Sequence, residues 1–465
     1  MGIPRLIKPS NGLFLAAALG AALLLFLPAP DGVTPGAMRA AAVMVLAIGM
    51  WATNVVPSYY GALIFLFASM VLAVAPARVV FSGFAAGAMW LVFGGMVIGA
   101  GVKRVGLDER VVRAFLRHFP NSYLPIIFGV FWASASLGFV IPSAAGRVAL
   151  LVPIMMALAE RLGFQHRSKG QTGLVLAGTF GTMVPAFGIL SANVPNMGLY
   201  GGAESVYGIQ LAYGQYLFLN YPVLGIGALI LYPLLIWALF RATPRPKDGA
   251  EDIKPWGAAD RRLLIIVLAA LVLWFTDTVH GVAPAWVALG AALICVLPRL
   301  GVLPVKVLAE DLNYGPILYL AGIIGLGAVA TDAGVGTLIA ENMLAVVDLQ
   351  PGRDFWNYYA MTGVGAVVGI FTTMPAQPAI MVPMAGSIAD AAGWPLISVL
   401  MTAVPTWMMM LFPYQGPPIV LALAIGDLRV GWVMKMLFGY FILSALVILP
   451  LHYQWGRLLG YFGAA

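Results

Sequence analysis

A chain of 465 residues that is 62% hydrophobic and only 9% charged is too apolar for a soluble domain, where about a quarter of residues carry charge. The net charge of +7 does not point to nucleic acid, because the lysines and arginines are distributed by membrane side rather than gathered into one patch. A single cysteine, Cys295, excludes an internal disulfide and a cysteine-rich metal site.

In chain order, apolar stretches suited to a hydrocarbon layer that needs about 20 helical residues run near 13–28, 38–54, 57–75, 88–105, 171–199, 217–241, 262–279, 283–299, 316–331, 396–425 and 432–455. The start, Met1-Gly2-Ile3-Pro4-Arg5, has the basic-then-apolar character of a signal peptide. With so many spans behind it, a retained first helix is the better reading. Two further apolar regions, 124–162 and 356–392, are each interrupted midway by Pro, Gly and polar residues and read as re-entrant helical hairpins. Backbone groups in lipid must be satisfied within each segment, and these segments lack strand-like alternation. The expected fold class is therefore an all-α polytopic membrane protein with about eleven transmembrane helices plus two re-entrant hairpins.

With the N-terminus in the cytoplasm and the C-terminus outside, only Arg39, Arg78, Arg353 and Arg457 fall on the outer side. Most of the other basic residues, Lys103, Arg104, Arg167, Lys169, Arg241 and Lys306 among them, fall inside. That bias is the one a multi-pass protein of a cell inner or plasma membrane shows.

The hydrophilic stretch 242–261 reads as an exposed cytoplasmic linker, and the same order of features stands on either side of it. Leu91-Val92-Phe93-Gly94-Gly95 leading to Val105-Gly106 is echoed by Leu320-Ala321-Gly322 leading to Ala333-Gly334. Pro142-Ser143-Ala144-Ala145-Gly146-Arg147, followed by Leu151-Val152-Pro153, is echoed by Pro375-Ala376-Gln377-Pro378, followed by Met381-Val382-Pro383. Asn193-Val194-Pro195-Asn196 is echoed by Gln415-Gly416-Pro417-Pro418. The chain divides accordingly into N-terminal helices 1–87, a first repeat 88–241, the linker, connecting helices 262–315 and a second repeat 316–465. The two repeats have opposite orientation, the arrangement that lets one sequence plan adopt inward- and outward-facing forms.

Arg147 falls just beyond the first hairpin's interruption, near the membrane midplane, where insertion costs about 2.5–3.5 kcal/mol. All 18 acidic residues fall at span ends or in connections, so no side chain is an evident counter-ion. A bound anion would supply the missing charge through paired hydrogen bonds; the alternative is an arginine capping backbone carbonyls at the break. Ser143, Gly146, Asn193, Asn196, Thr373, Gln377 and Gln415 cluster at the same breaks, and helix N-termini add exposed N–H groups. These residues, with Arg147, are the candidate substrate site. His118, His166, His280 and His452 read as loop or interface residues, which argues against a proton relay. No HExxH, GxSxG or phosphate-loop motif occurs, so neither an enzyme nor a bound cofactor is expected.

From residue 38 onward, through Trp51 to Pro57, the Gly94-Gly95 helix, both interrupted regions and the Val194-Pro195-Asn196 and Gly416-Pro417-Pro418 breaks, the chain resembles the divalent anion:sodium symporter family. That resemblance implies a carrier of dicarboxylates, citrate or sulfate, built as a homodimer in which a mobile part holding both hairpins moves in an elevator-like way. It also implies a Ser-Asn-Thr triplet ten residues ahead of Pro153 and of Pro383, binding sodium and substrate. Ser143-Ala144-Ala145 and Thr373-Met374-Pro375 stand there instead. No sodium ligands are assigned, and Arg147 is expected to replace the ion with its fixed charge. The expected function is sodium-independent uniport or exchange of small di- or oxyanions. A sodium-coupled symporter is the alternative, with an anion channel or a membrane enzyme behind it.

Overall fold

The computed structural model describes residues 9–30, 32–53, 55–106, 122–245 and 257–463, and every regular element among them is helical. Helices α1 (Pro9–Phe26), α2 (Pro35–Thr53) and α3 (Ser58–Val71) pack in sequence. Two short helical turns lead to α4 (Gly87–Val105), which closes on Gly106 in the left-handed conformation, φ +69°.

Next come α5 (Tyr123–Ser136) and α6 (Ala144–Arg161), joined by a 3₁₀ turn at Leu137–Phe139. Helices α7 (Lys169–Met183) and α8 (Val194–Tyr207) are two halves separated by the turn Pro185–Gly188. A long α9 (Tyr213–Leu239) contains a π-helical turn at Tyr221–Gly227.

After the linker, whose residues 246–256 lie outside the described ones, α10 (Ala258–Phe275) and α11 (Pro284–Val296) precede α12 (Gly315–Asp332) and α13 (Val335–Leu344). The pair α14 (Asp354–Phe371) and α15 (Gln377–Ala392) is joined through the turn Met374–Ala376. The halves α16 (Leu396–Thr406) and α17 (Pro417–Ile425) follow, and α18 (Val430–Leu458) carries its own π turn at Ser444–Ile448.

Both regions read as interrupted are thus helix pairs, and the expected spans 171–199 and 396–425 are broken helices. The breaks follow from local chemistry. Proline lacks an N–H and fits a helix best in its first turn, where Pro195, Pro378, Pro417 and Pro418 sit, while Pro153 and Pro383 lie inside α6 and α15. Ser143 caps α6 by accepting the Gly146 N–H at 3.1 Å. Five helices, α2, α4, α9, α12 and α18, are long and apolar enough to cross a membrane individually; interruption shortens others below that length.

Packing is cross-wise between the halves of the chain. Helix α6 lies against α17, and α8 against α15, so each helix pair is backed by the broken helix of the other half. Close approach rests on glycine: a Cβ on Gly94 would meet the Ala288 carbonyl at 2.5 Å, and one on Gly95 would collide with the Pro142 ring. Outward faces stay apolar, with Leu19, Phe67, Val272, Phe371 and Leu446 more than half exposed, which suits contact with lipid.

One expectation is corrected. His452 is neither in a loop nor at an interface but fully buried in α18. Its ring bonds the Tyr358 hydroxyl of α14 at 2.8 Å and Asn220 Oδ1 of α9 at 3.1 Å. Aromatic rings of Tyr358 and Phe462 cover it, so a residue near the end of its helix is sealed by neighbours distant in sequence.

Candidate functional site

The breaks converge on a central cavity of about 450 Å³. Four elements reach it with their N-terminal ends: α6 through Ala144 and Ala145, α8 through Val194 and Pro195, the turn leading to α15 through Thr373 and Met374, and α17 through Pro417 and Pro418. The first N–H groups of a helix have no intrahelical acceptor and carry its positive dipole end. Such ends favour an anion, although α17 contributes only its dipole, because Pro417 and Pro418 have no N–H and those of Ile419 and Val420 donate to the Gly416 carbonyl. The far wall comes from Trp51, Ser58 and Tyr59 of the α2–α3 corner and from Asn313, Pro316 and Tyr319 at the start of α12. The indole N–H of Trp51 donates to the Ser58 carbonyl at 3.1 Å, and its ring meets Tyr319 edge-on, which fixes this wall. None of the lining residues carries a formal charge.

Of the expected site residues, Ser143, Asn193 and Thr373 line the cavity, Gly146 is exposed beside Ser143, and Arg147, Asn196, Gln377 and Gln415 are buried behind the wall. Arg147 is fully buried, and its five N–H groups all have protein acceptors. Nε donates to Thr182 Oγ1 at 2.5 Å, Nη1 to the carbonyls of Ile141 and Ala192, the latter at 3.0 Å, and Nη2 to the Thr182 carbonyl at 2.8 Å and Asn193 Oδ1 at 3.1 Å. The cage contains no carboxylate. Its guanidinium therefore does not present free N–H groups to the cavity, as a direct bidentate ligand would; the charge lies one residue back, behind Asn193. Hydrogen bonds to a charged group contribute about 1.5–3 kcal/mol each, so the five together offset much of the cost of burying an arginine without a carboxylate partner.

The remaining candidates are held as structural partners. Gly146 donates its N–H to Ser143, and Asn196 ties the α7–α8 break by donating to the carbonyls of Ala186 and Ile189 at 2.9 and 2.6 Å. Gln377 donates to the Gly365 carbonyl at 2.9 Å. Gln415 accepts the N–H groups of Leu411 and Phe412, each at 2.8 Å. Among the described residues no group of His, Cys, Asp or Glu has the makings of a metal site.

Sequence reasoning missed Thr182, which supplies two of the five acceptors, and the wall residues Tyr59 and Tyr319. Nothing in the local pattern marks them, since they meet the site only through helix packing.

A helical protein with a lipid-facing apolar surface, broken helices and a central uncharged cavity at the breaks has the construction of a membrane transporter. The sequence profile of the sodium:sulfate symporter transmembrane region family matches residues 10–462, and the chain belongs to that family, the divalent anion:sodium symporters. A membrane protein of Cupriavidus necator is 27% identical over 354 residues, 71% of this chain and 69% of that protein. Sodium-dependent high-affinity dicarboxylate transporter 3 of Caenorhabditis elegans is 21% identical over 399 residues, covering 74% and 69%. The L-tartrate/succinate antiporter of Escherichia coli is 25% identical over 206 residues, 42% of each chain. The chain is accordingly a membrane transporter and not an enzyme.

Proposed function

We propose that this protein carries small di- or oxyanions, of the dicarboxylate kind named for its relatives, across the cell membrane without sodium, as a uniporter or exchanger. The observation that carries the reading is the cage around Arg147. Oxygens of Ile141, Thr182, Ala192 and Asn193 surround a tethered guanidinium in the kind of all-oxygen setting that a hard cation such as sodium would otherwise occupy. It stands directly behind a cavity on which the starts of α6, α8 and α17 and the turn before α15 converge. A permanent charge there draws an anion in without consuming a sodium gradient.

The helix order supports eleven crossings with two re-entrant pairs, arranged as inverted repeats over 88–241 and 316–465, the N-terminus cytoplasmic and the C-terminus outside. Cross-wise packing of α6 on α17 and of α8 on α15 ties both tips and both breaks into one unit, which suits elevator-type movement of that unit within a homodimer. Sodium coupling, named for the nematode relative, is the second reading.

The test is counterflow of labelled succinate, with a panel of competing anions, in proteoliposomes of the purified protein, with sodium or with choline. Equal saturable uptake in both, abolished by Arg147→Ala, is the expected result. Uptake only in sodium would overturn it.

A further inference from the structure

The two tips facing the cavity start from one sequence plan but carry different charge. Arg147 and Gln377 each stand six residues ahead of a helical proline, Pro153 and Pro383. Each donates to backbone oxygen, Arg147 to Ile141, Thr182 and Ala192, and Gln377 to Gly365. Both are buried. One is a cation and its counterpart is a neutral amide.

We infer that the substrate occupies the cavity as a singly charged oxyanion, with its anionic group at the Ser143–Asn193 corner and a neutral hydrogen-bonding group at the Thr373 corner. This rests on the anion-carrier reading above and states how many charges that site accepts. At the first corner, Asn193 lines the cavity and accepts the Arg147 N–H at 3.1 Å. An anion there meets a full positive charge one residue away together with the starts of α6 and α8. At the second corner the turn before α15 and the start of α17 are accompanied by the Thr373 hydroxyl and by no formal charge. A helix start alone stabilises an anion by far less than removal of its water costs. Neutral polar groups, which lose far less on leaving water, fit that corner. The cavity wall also carries Trp51, Tyr59 and Tyr319, which offer aromatic contact to the body of the substrate and no third charge. A dianion would keep one charge uncompensated in this space.

Isosteric pairs that differ by one charge decide the point: succinate against succinamate, and isophthalate against its monoamide. Kd values are measured on the purified full-length protein in detergent at neutral pH, from the ligand-dependent rise of its unfolding midpoint. The monoanion of each pair is expected to bind at least tenfold more tightly, and succinate is expected to gain as the pH falls and hydrogensuccinate forms. Gln377→Arg, which places a cation at the second corner, is expected to shift the preference at least tenfold towards the dianions. Equal or tighter binding of the dianions to the unmodified protein, still lost in Arg147→Ala, would overturn the single-charge inference and leave the anion-carrier reading standing. Absence of binding by all four compounds would overturn both.

Discussion

The first helix-pair tip and the second solve the same mechanical problem with different side chains. Each must end one helix, turn and start another beside a cavity. At the first tip a guanidinium satisfies five oxygens drawn from the turn, from the α7–α8 break and from Asn193. At the second, an amide from Gln377 satisfies the Gly365 carbonyl, and Gln415 closes the α16–α17 break on its own backbone. The comparison teaches that fastening a break does not require charge. Arg147 brings more than the fastening, and the surplus is an electric field at the cavity.

Removing that field is the most damaging way to break the symmetry. Arg147→Ala is expected to abolish transport and to leave carbonyls of Ile141, Thr182 and Ala192 without donors. Each orphaned group of this kind costs about 1–3 kcal/mol, so the unfolding midpoint also falls. Added guanidinium ion is expected to restore part of the uptake, because the emptied cage keeps its oxygens. Arg147→Lys keeps the charge but has three donors for five acceptors, and an uptake rate between the unmodified protein and Arg147→Ala is expected. An Arg147→Lys variant as inactive as Arg147→Ala would assign the residue to fastening rather than to charge.

A smaller effect is expected at Thr182→Val, which removes the hydroxyl acceptor of the Arg147 Nε–H and retains the carbonyl. The loss of one bond to a charged group is about 1.5–3 kcal/mol in stability, read from the unfolding midpoint. At the second tip the matching perturbation is Gly369→Ala, whose Cβ would collide with Gln377 Nε2 and come within 3.2 Å of Gln415 Nε2. Overpacking of this sort costs about 1–3 kcal/mol. Because no charge is displaced there, uptake per folded molecule is expected to fall less than in Thr182→Val.

Much of this arrangement was legible in the sequence, and the part that was not has a common cause. Apolar runs and their Pro and Gly interruptions placed most of the helices to within a few residues, though not α13 or the end of α8, because lipid forces each backbone group to be satisfied locally. Arg147 stood out because a lone cation among apolar residues demands compensation. Its partners did not, since Thr182 and Ala192 belong to the α7–α8 break and meet it only through packing. For the same reason Arg147 was expected at the cavity surface and is found behind it. His452 was misplaced because hydropathy judges a residue by its chain neighbours, whereas its burial is set by Tyr358, Asn220 and Phe462.

The smallest expected effect tests whether the two halves are also joined outside the spans. Arg167, between α6 and α7, donates to the carboxylate of Asp427, between α17 and α18, and His166 bonds the same carboxylate at 3.0 Å. Arg167 first, and His166 after it, hold the Asp427 carboxyl below its ordinary value. A carboxyl with a depressed folded-state value contributes stability at every pH above its ordinary value, about 4, and loses that contribution as the pH falls through the lower folded value. Asp427→Asn, compared with Asp427 in a His166→Gln background so that imidazole protonation does not enter, is therefore expected to lower the unfolding midpoint slightly at pH 7 and not at all in strong acid. Both partners are about half exposed, so solvent screening keeps the effect small, and it shrinks further as salt is raised. A midpoint difference that persists in acid would mean that the contact acts through the backbone of the two connections, where Arg167 and Asp427 both adopt positive φ, and not through the ion pair.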